Sequence, residues 1–363
     1  MADPGQRRLL VLHGGALGDC ALTIHWARGV ARSIKAELTM AARSPLVLWA
    51  EKNDLVARGV LLDDIGAARL YVGRSAADDG VRESAEEERL RVFLRSFDCI
   101  VSLLGGVDAP VSRRLSAIGC GDVYAIDSRP AEETLRDGTH ILSQWTDSLR
   151  QVGLQLDPLE RCLSLCSLRP PEHALYPTAA TGGGRYTIRD SALVPAVVSD
   201  AGFVDDQERR DADHARGAPD RGATILVHPG SGGLAKCCPI EAMEALVGRL
   251  TESGSKVRWM IGPDEIERFG DSYINRLEQS AVVVCEESVE RAASTVAGVD
   301  AYIGNDAGMT HVAALCGIRT VVLFGPTDPR VWRPLGPRVH VGRFPGAGEP
   351  VEAWCDAVVC SLK

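Results

Sequence analysis

One pattern recurs along most of the chain: a short apolar run, a turn containing glycine, then apolar residues at helical spacing. Short apolar runs of this kind suit strands buried on both faces, and a helix between each pair carries the chain back across the sheet. The pattern therefore specifies parallel strands with helical crossovers, the α/β class. In the N-terminal half strands are expected at Arg8–His13, Ala36–Met40, Ala68–Tyr71, Cys99–Leu103 and Val123–Ile126. In the C-terminal half they are expected at Thr224–His228, Val257–Ile261, Val282–Cys285, Ala301–Gly304 and Thr320–Phe324. Helices are expected there over Pro239–Glu252, Asp264–Gln279, Ser288–Val296 and Gly308–Cys316.

Between the halves the texture changes to RPPEHALYP, TGGGR and DDQERRDADHARGAPDRG, which have no sustained apolar period and read as a polar linker. At 363 residues the chain also exceeds what one core usually serves. The expected organisation is an N-terminal Rossmann-like domain over 1–175, a polar linker and entry segment over 176–222, and a C-terminal Rossmann-like domain over 223–345. Residues 346–363 are expected to pack back toward the N-terminal domain. Two such domains would face each other across a cleft, with ligands at the carboxyl ends of the strands.

The formal net charge of −9 disfavours nucleic acid and an anionic membrane surface as partners. No run approaches the roughly 18 apolar residues a membrane-spanning helix needs, which limits membrane contact to a peripheral one. Arg7, Arg8 and LLVLHGGALGDC imitate a leader peptide, but the run Leu9–Leu12 is too short for its apolar segment. The eleven cysteines are odd in number and scattered, and neither Cys162/Cys166 nor Cys237/Cys238 has zinc-ligand partners, so reduced thiols in a cytoplasmic protein are expected.

Three strand-to-helix loops carry the candidate chemistry. The first is His13-Gly14-Gly15-Ala16-Leu17-Gly18-Asp19. Its glycines allow close backbone approach, but GGALGD lacks the dinucleotide spacing. Asp19 reads either as the N-cap of the following helix or as a general base for an acceptor hydroxyl. The second loop is His228-Pro229-Gly230-Ser231-Gly232-Gly233-Leu234-Ala235-Lys236, followed by Pro239 at a helix start. Backbone N–H groups, a helix N-terminus and Lys236 together read either as a phosphate cradle, without the Walker A spacing, or as a flexible loop with a solvated lysine. The third is Gly304-Asn305-Asp306-Ala307-Gly308-Met309-Thr310-His311. Asp306 and the N–H groups of Ala307 and Gly308 are expected to point to the same side as Lys236, because parallel strands present their carboxyl ends to one side. His311 reads equally as a packing histidine. Glu265 and the Glu286-Glu287-Ser288 stretch offer carboxylates to ribose hydroxyls or cap their helices.

Taken in order, GALGD, HPGSGGLAK, GNDAGMTHVAALCGIRTVVLFGPTDP and VWRPLG resemble glycosyltransferase family 9, whose best-known members are the lipopolysaccharide heptosyltransferases. The resemblance is densest over Ile225–Gly336. It implies a GT-B fold and inverting transfer that needs no metal and no cofactor beyond the nucleotide-sugar donor, with ADP-heptose the best guess. The acceptor would be a lipopolysaccharide-like or other surface glycan, met at the inner face of the cytoplasmic membrane. By the same resemblance Asp19 would be the catalytic base and Gly18 would contact the nucleotide-sugar. Lys236 with Ser231, Gly232 and Gly233 would stabilise the diphosphate. Asp306, Ala307, Gly308 and His311 would hold the phosphate and sugar end, Glu265 the ribose, and Glu287 and Ser288 would flank the base. The sequence departs from the family at Ala307, where Ser or Thr is common, and at Cys237-Cys238. A nucleotide-sugar epimerase of the same shape, or a nucleotide-sugar sensor without turnover, are the competing readings.

Overall fold

The computed structural model describes residues 6–71, 85–106, 108–118, 121–157 and 222–362. Contacts divide the chain into two compact units. Unit 1 comprises Met1–Ser167 with Arg330–Trp332, and unit 2 comprises Leu168–Pro329 with Arg333–Lys363.

Unit 1 contains β1 (Arg7–His13), α1 (Leu17–Ser33), β2 (Ala36–Ala42), α2 (Leu46–Lys52), β3 (Arg58–Leu61), α3 (Ala85–Arg95), β4 (Cys99–Ser102), α4 (Pro110–Ala117), β5 (Asp122–Ala125), α5 (Glu132–Asp137) and α6 (Ile141–Gln151). Its strands form one parallel sheet in the order β3-β2-β1-β4-β5. Leu9 to Leu12 of β1 are fully buried, as a central strand covered on both faces requires. On one face Leu10 and Leu12 pack with Leu90, Leu94, Ile100 and Leu115. Trp26 of α1 meets Trp145 of α6 edge to face at 5.5 Å and donates its indole N–H to Thr146 Oγ1 at 3.1 Å.

Unit 2 contains β6 (Thr224–His228), α7 (Ile240–Glu252), β7 (Lys256–Ile261), α8 (Pro263–Glu278), β8 (Val282–Cys285), α9 (Val289–Ala297), β9 (Ala301–Asn305), α10 (Gly308–Leu315), β10 (Arg319–Phe324), β11 (Val339–Arg343) and α11 (Val351–Cys360). The parallel sheet runs β11-β10-β9-β6-β7-β8. Its order matches that of unit 1 with one strand added: a first strand at the centre, crossovers to one side, then a return to the other.

Two strand expectations change. Ala68–Tyr71 is not a strand: a 3₁₀ turn covers Ala67–Leu70, burying Ala67 and Leu70 at a spacing of three, where a strand would alternate. The strand in that part of the chain is Arg58–Leu61. β11 escapes the sequence pattern because it is a half-exposed edge strand of mixed polarity. The C-terminal segment also corrects its expectation. Residues 346–363 belong to unit 2, where Trp354, Cys355 and Val358 of α11 enter the core with Met243, Leu246 and Trp259. Trp354 donates to Arg343 O at 2.7 Å and Arg249 of α7 pairs with Asp356 at 2.7 Å, so apolar burial and polar contacts tie this helix to the same unit. The linker at 176–222 lies, but for Gly222, outside the described residues. So do Cys162 and Cys166, and the cysteines that are described are free thiols.

Candidate functional site

In unit 2 the crossovers change direction between β6 and β9, and both strands end there in a loop. Asn305, the fully buried last residue of β9, ties the two loops together. Its Nδ2 donates to Pro229 O at 2.8 Å and Gly230 O at 3.3 Å, while its Oδ1 accepts from Cys238 N at 3.0 Å. One amide therefore holds both ends of the glycine-rich loop. Sequence reading placed Asn305 in the motif but gave it no part.

Asp306 organises what lies between. Its carbonyl accepts from Ser231 Oγ at 2.7 Å, and its Oδ2 accepts from Lys236 Nζ at 2.9 Å and Thr327 Oγ1 at 2.7 Å. Its Oδ1 stands 4.0 Å from His311 Nε2. Asp306 and His311 are buried, whereas Lys236 is 39% exposed. The structure thus brings together Ser231, Lys236, Asp306 and His311, four of the residues singled out by sequence, in an arrangement that differs from the expected one. The Asp306 carboxylate is turned inward onto Lys236 and Thr327, and the Ser231 hydroxyl is bound to backbone. Lys236 reaches Asp306 from a partly exposed position. Gly232 and Gly233 have open space where a side chain would stand, so internal packing does not account for either glycine. Ala307 is the N-cap of α10 and no side chain caps that helix, leaving the first-turn N–H groups from Gly308 onward without a capping side chain.

Glu265 stands at the third position of α8, where it accepts from Gly262 N at 2.8 Å and faces His228 Nε2 at 3.5 Å. It is 7% exposed. Burial alone would push its carboxyl up, but His228 and the Gly262 N–H more than offset this and hold it below the ordinary value. The candidates after β8 divide differently from expectation. Ser288 is the N-cap of α9, its Oγ accepting from Arg291 N at 3.3 Å. Glu287 is exposed. The buried carboxylate is Glu286, bound by Thr295 Oγ1 at 2.5 Å and Arg291 Nε at 3.2 Å.

In unit 1 the corresponding switch lies between β1 and β4. Asp19 is not the N-cap of α1: that position is Ala16, and Asp19 occupies the first turn, after Leu17 and Gly18. There the helix dipole favours its ionised form. Buried His13 ends β1, and a side chain on Gly15 would collide with its Nε2 at 2.8 Å and with Asp19 Oδ2 at 2.9 Å. The imidazole and the carboxylate therefore converge on that glycine. Burial pushes the His13 imidazole down to about 4, so it is neutral at physiological pH, and its Nδ1 is buried without a hydrogen-bond partner among the described residues.

Two parallel-sheet units of this order, each with its candidate residues in the loops at the switch point, define an α/β protein of the GT-B fold. Structural neighbours include the E. coli heptosyltransferase WaaC with ADP, at 18% identity and TM-score 0.57 over 97% of this chain and 98% of that one. A glycosyltransferase family 9 structure from Veillonella parvula matches at 15% identity and TM-score 0.60 over 100% and 99%. Residues 194–347 match the family model described as glycosyltransferase family 9 (heptosyltransferase). Lipopolysaccharide heptosyltransferase 1 of Pseudomonas aeruginosa is 33% identical over 157 residues, 42% of each protein. The E. coli O18:K1:H7 protein of the same description is 30% identical over 114 residues, 30% of this chain and 33% of that one. The chain thus matches about a third to two fifths of the length of these curated relatives. Together the matches make it a protein like the heptosyltransferases of glycosyltransferase family 9. Among the described residues, no helix is long and apolar enough to cross a membrane.

Proposed function

We propose that the protein is an inverting, metal-independent glycosyltransferase that moves heptose from ADP-heptose to a lipopolysaccharide-like surface glycan at the inner face of the cytoplasmic membrane. The observation that carries this reading is the loop of unit 2, where Lys236, the open Gly232-Gly233 backbone and the uncapped start of α10 surround Asp306. Such a set of N–H donors and one ammonium suits a diphosphate. Support for the donor comes from family resemblance and from solved neighbours that hold ADP and ADP-2-deoxy-2-fluoro heptose.

In this reading Asp19 takes the proton of the acceptor hydroxyl, which attacks the anomeric carbon from the face opposite the diphosphate. The carbon–oxygen bond to the diphosphate breaks as the new glycosidic bond forms, and the electron pair leaves with the phosphate. Lys236 and the N–H groups of Gly232, Gly233 and the first turn of α10 stabilise that charge. Asp306 acts through Lys236, which it holds in place. His311 lines the sugar-phosphate end, Glu265 offers its remaining lone pairs to the ribose, and Glu287 lies on the base side.

Calorimetric titration of the full chain with ADP, UDP, GDP and their sugar conjugates, with and without EDTA, tests the reading. Selective, EDTA-insensitive binding of ADP and ADP-heptose is expected. Absence of binding to every nucleotide would overturn it.

A further inference from the structure

The cation most often expected to neutralise a phosphate in such a loop is its lysine, but here Lys236 is already paired with a buried carboxylate at 2.9 Å. Arg276 is matched by Glu241 and Glu244, and Arg291 by Glu286. Arg268 is different. Its NH1 donates to the carbonyl of Ser231 at 2.7 Å, in the middle of the glycine-rich loop, and among the described residues no carboxylate lies within ion-pair distance of it. It is exposed, with its guanidinium 5.9 Å from the Phe269 ring centre.

The backbone accounts for its placement. Gly270 interrupts α8 with φ 70° and ψ −178°, a conformation that a residue with a Cβ adopts only under strain. The kink separates two tasks: Ile274 and Leu277 beyond it anchor the helix in the core, and the turn before it carries Glu265 and Arg268 toward the loop. Ser231 is consequently held from both sides, its hydroxyl on Asp306 O and its carbonyl on Arg268. The residues that follow it are Gly232 and Gly233, whose surroundings are open, so a ligand can approach the main chain there. A guanidinium has five N–H donors, and one bond to a carbonyl leaves most of them available in a planar fork that matches phosphate oxygens.

We propose that Arg268 supplies the uncompensated positive charge of this loop and binds the diphosphate of the donor directly, with the Lys236–Asp306 pair acting mainly as its fixed scaffold. This rests on the donor-site reading above and adds to it the residue that selects for a diphosphate. The uncompensated charge also implies a preference graded by ligand charge, ADP over AMP over adenosine, that Arg268 sets.

The test is calorimetric titration of the full chain, wild type and the variants Arg268→Gln and Arg268→Lys, with ADP, AMP and inorganic pyrophosphate at two ionic strengths. Arg268→Gln is expected to weaken ADP and pyrophosphate roughly 10- to 100-fold, the range for one lost charged hydrogen bond. AMP should weaken much less, and the salt dependence of ADP binding should become shallower. Arg268→Lys should recover part of the loss, and the melting temperatures of the three proteins should agree closely. Unchanged ADP affinity in Arg268→Gln overturns the proposal while leaving the donor site standing. Equal weakening of ADP and AMP overturns it in favour of a role confined to loop shape. Failure of the wild type to bind ADP, pyrophosphate or any other nucleotide overturns this proposal and the donor-site reading together.

Discussion

The two units use one local device with opposite results. Each has a central first strand ending in a buried histidine, His13 in β1 and His228 in β6, with a glycine two residues on. In each, a carboxylate from the first turn of a helix fills the space where that glycine's side chain would stand: Asp19 beside Gly15, and Glu265 beside Gly230. In unit 2 the carboxylate is 7% exposed, faces His228 at 3.5 Å and caps its own helix. In unit 1 the aspartate is only half-buried, and the histidine is the group that burial perturbs. A buried carboxylate held by a histidine and its own helix cap suits a structural or ligand-orienting part, whereas a half-buried one in the first turn of a helix suits proton transfer. The same pieces make an anchor in one unit and, in the proposed function, a base in the other.

The largest effect that could break this comparison is on turnover. Asp19→Asn should reduce heptose transfer to a truncated lipopolysaccharide acceptor by about 10²- to 10⁴-fold, the usual contribution of a general base, with ADP affinity unchanged. Retained turnover would remove the distinction between the two carboxylates. In unit 2, Lys236→Ala should weaken ADP binding by about 1.5 to 3 kcal/mol in calorimetry, because it leaves the buried Asp306 carboxylate without its cation beside the loop.

The histidines should separate by acid sensitivity. His13 is held below its ordinary value, so the folded state excludes a proton that the unfolded chain binds below about pH 6.5. Its stabilising contribution is therefore complete above pH 6.5 and declines as the pH falls toward about 4, by on the order of 3 kcal/mol. His13→Phe should flatten melting temperature against pH across that window. An unchanged acid limb would show that His13 does not set it. Glu265 acts at lower pH: its depressed carboxyl stabilises above the ordinary value of 4.5 and ceases to as the pH falls through its lowered one.

Steric replacement sharpens the comparison further. Alanine at 230 would place its Cβ 1.8 Å from Glu265 Oε1 and displace a side chain that is bonded at both oxygens, so a loss of about 1 to 3 kcal/mol in denaturant unfolding is expected, with weakened ADP binding. The smallest effect belongs to Ser288. As a helix cap its replacement by alanine should cost about 1 kcal/mol and leave ADP affinity unaltered, and a marked affinity loss would return it to the base-binding role.

Unit 2 was easier to read from sequence than unit 1 because its apolar runs are long and its loops are punctuated by glycine and proline. β6 and β8 fall on the expected residues, and α7 to α10 differ only at their ends. In unit 1 the segment around Ala67–Leu70 has too few apolar residues to separate a strand from a 3₁₀ turn, and β3 offers only four residues. The C-terminal segment was read only as a tail, because no local pattern names the core it enters.

What the sequence determined by itself is what local patterns encode: alternating buried strands and helices, the glycine loops at the strand ends, and the candidates Asp19, Lys236, Asp306 and Glu265. Which way those side chains turn was decided by tertiary structure alone. Asp306 faces inward because Lys236 and Thr327, from two other loops, compensate its buried charge. Arg268 reaches Ser231 because a kink at Gly270 bends its helix. Asn305 holds both ends of a loop that lies more than sixty residues before it in sequence. Hydrogen bonds and ion pairs of this kind join residues distant along the chain, so their energies depend on distances that no local pattern specifies.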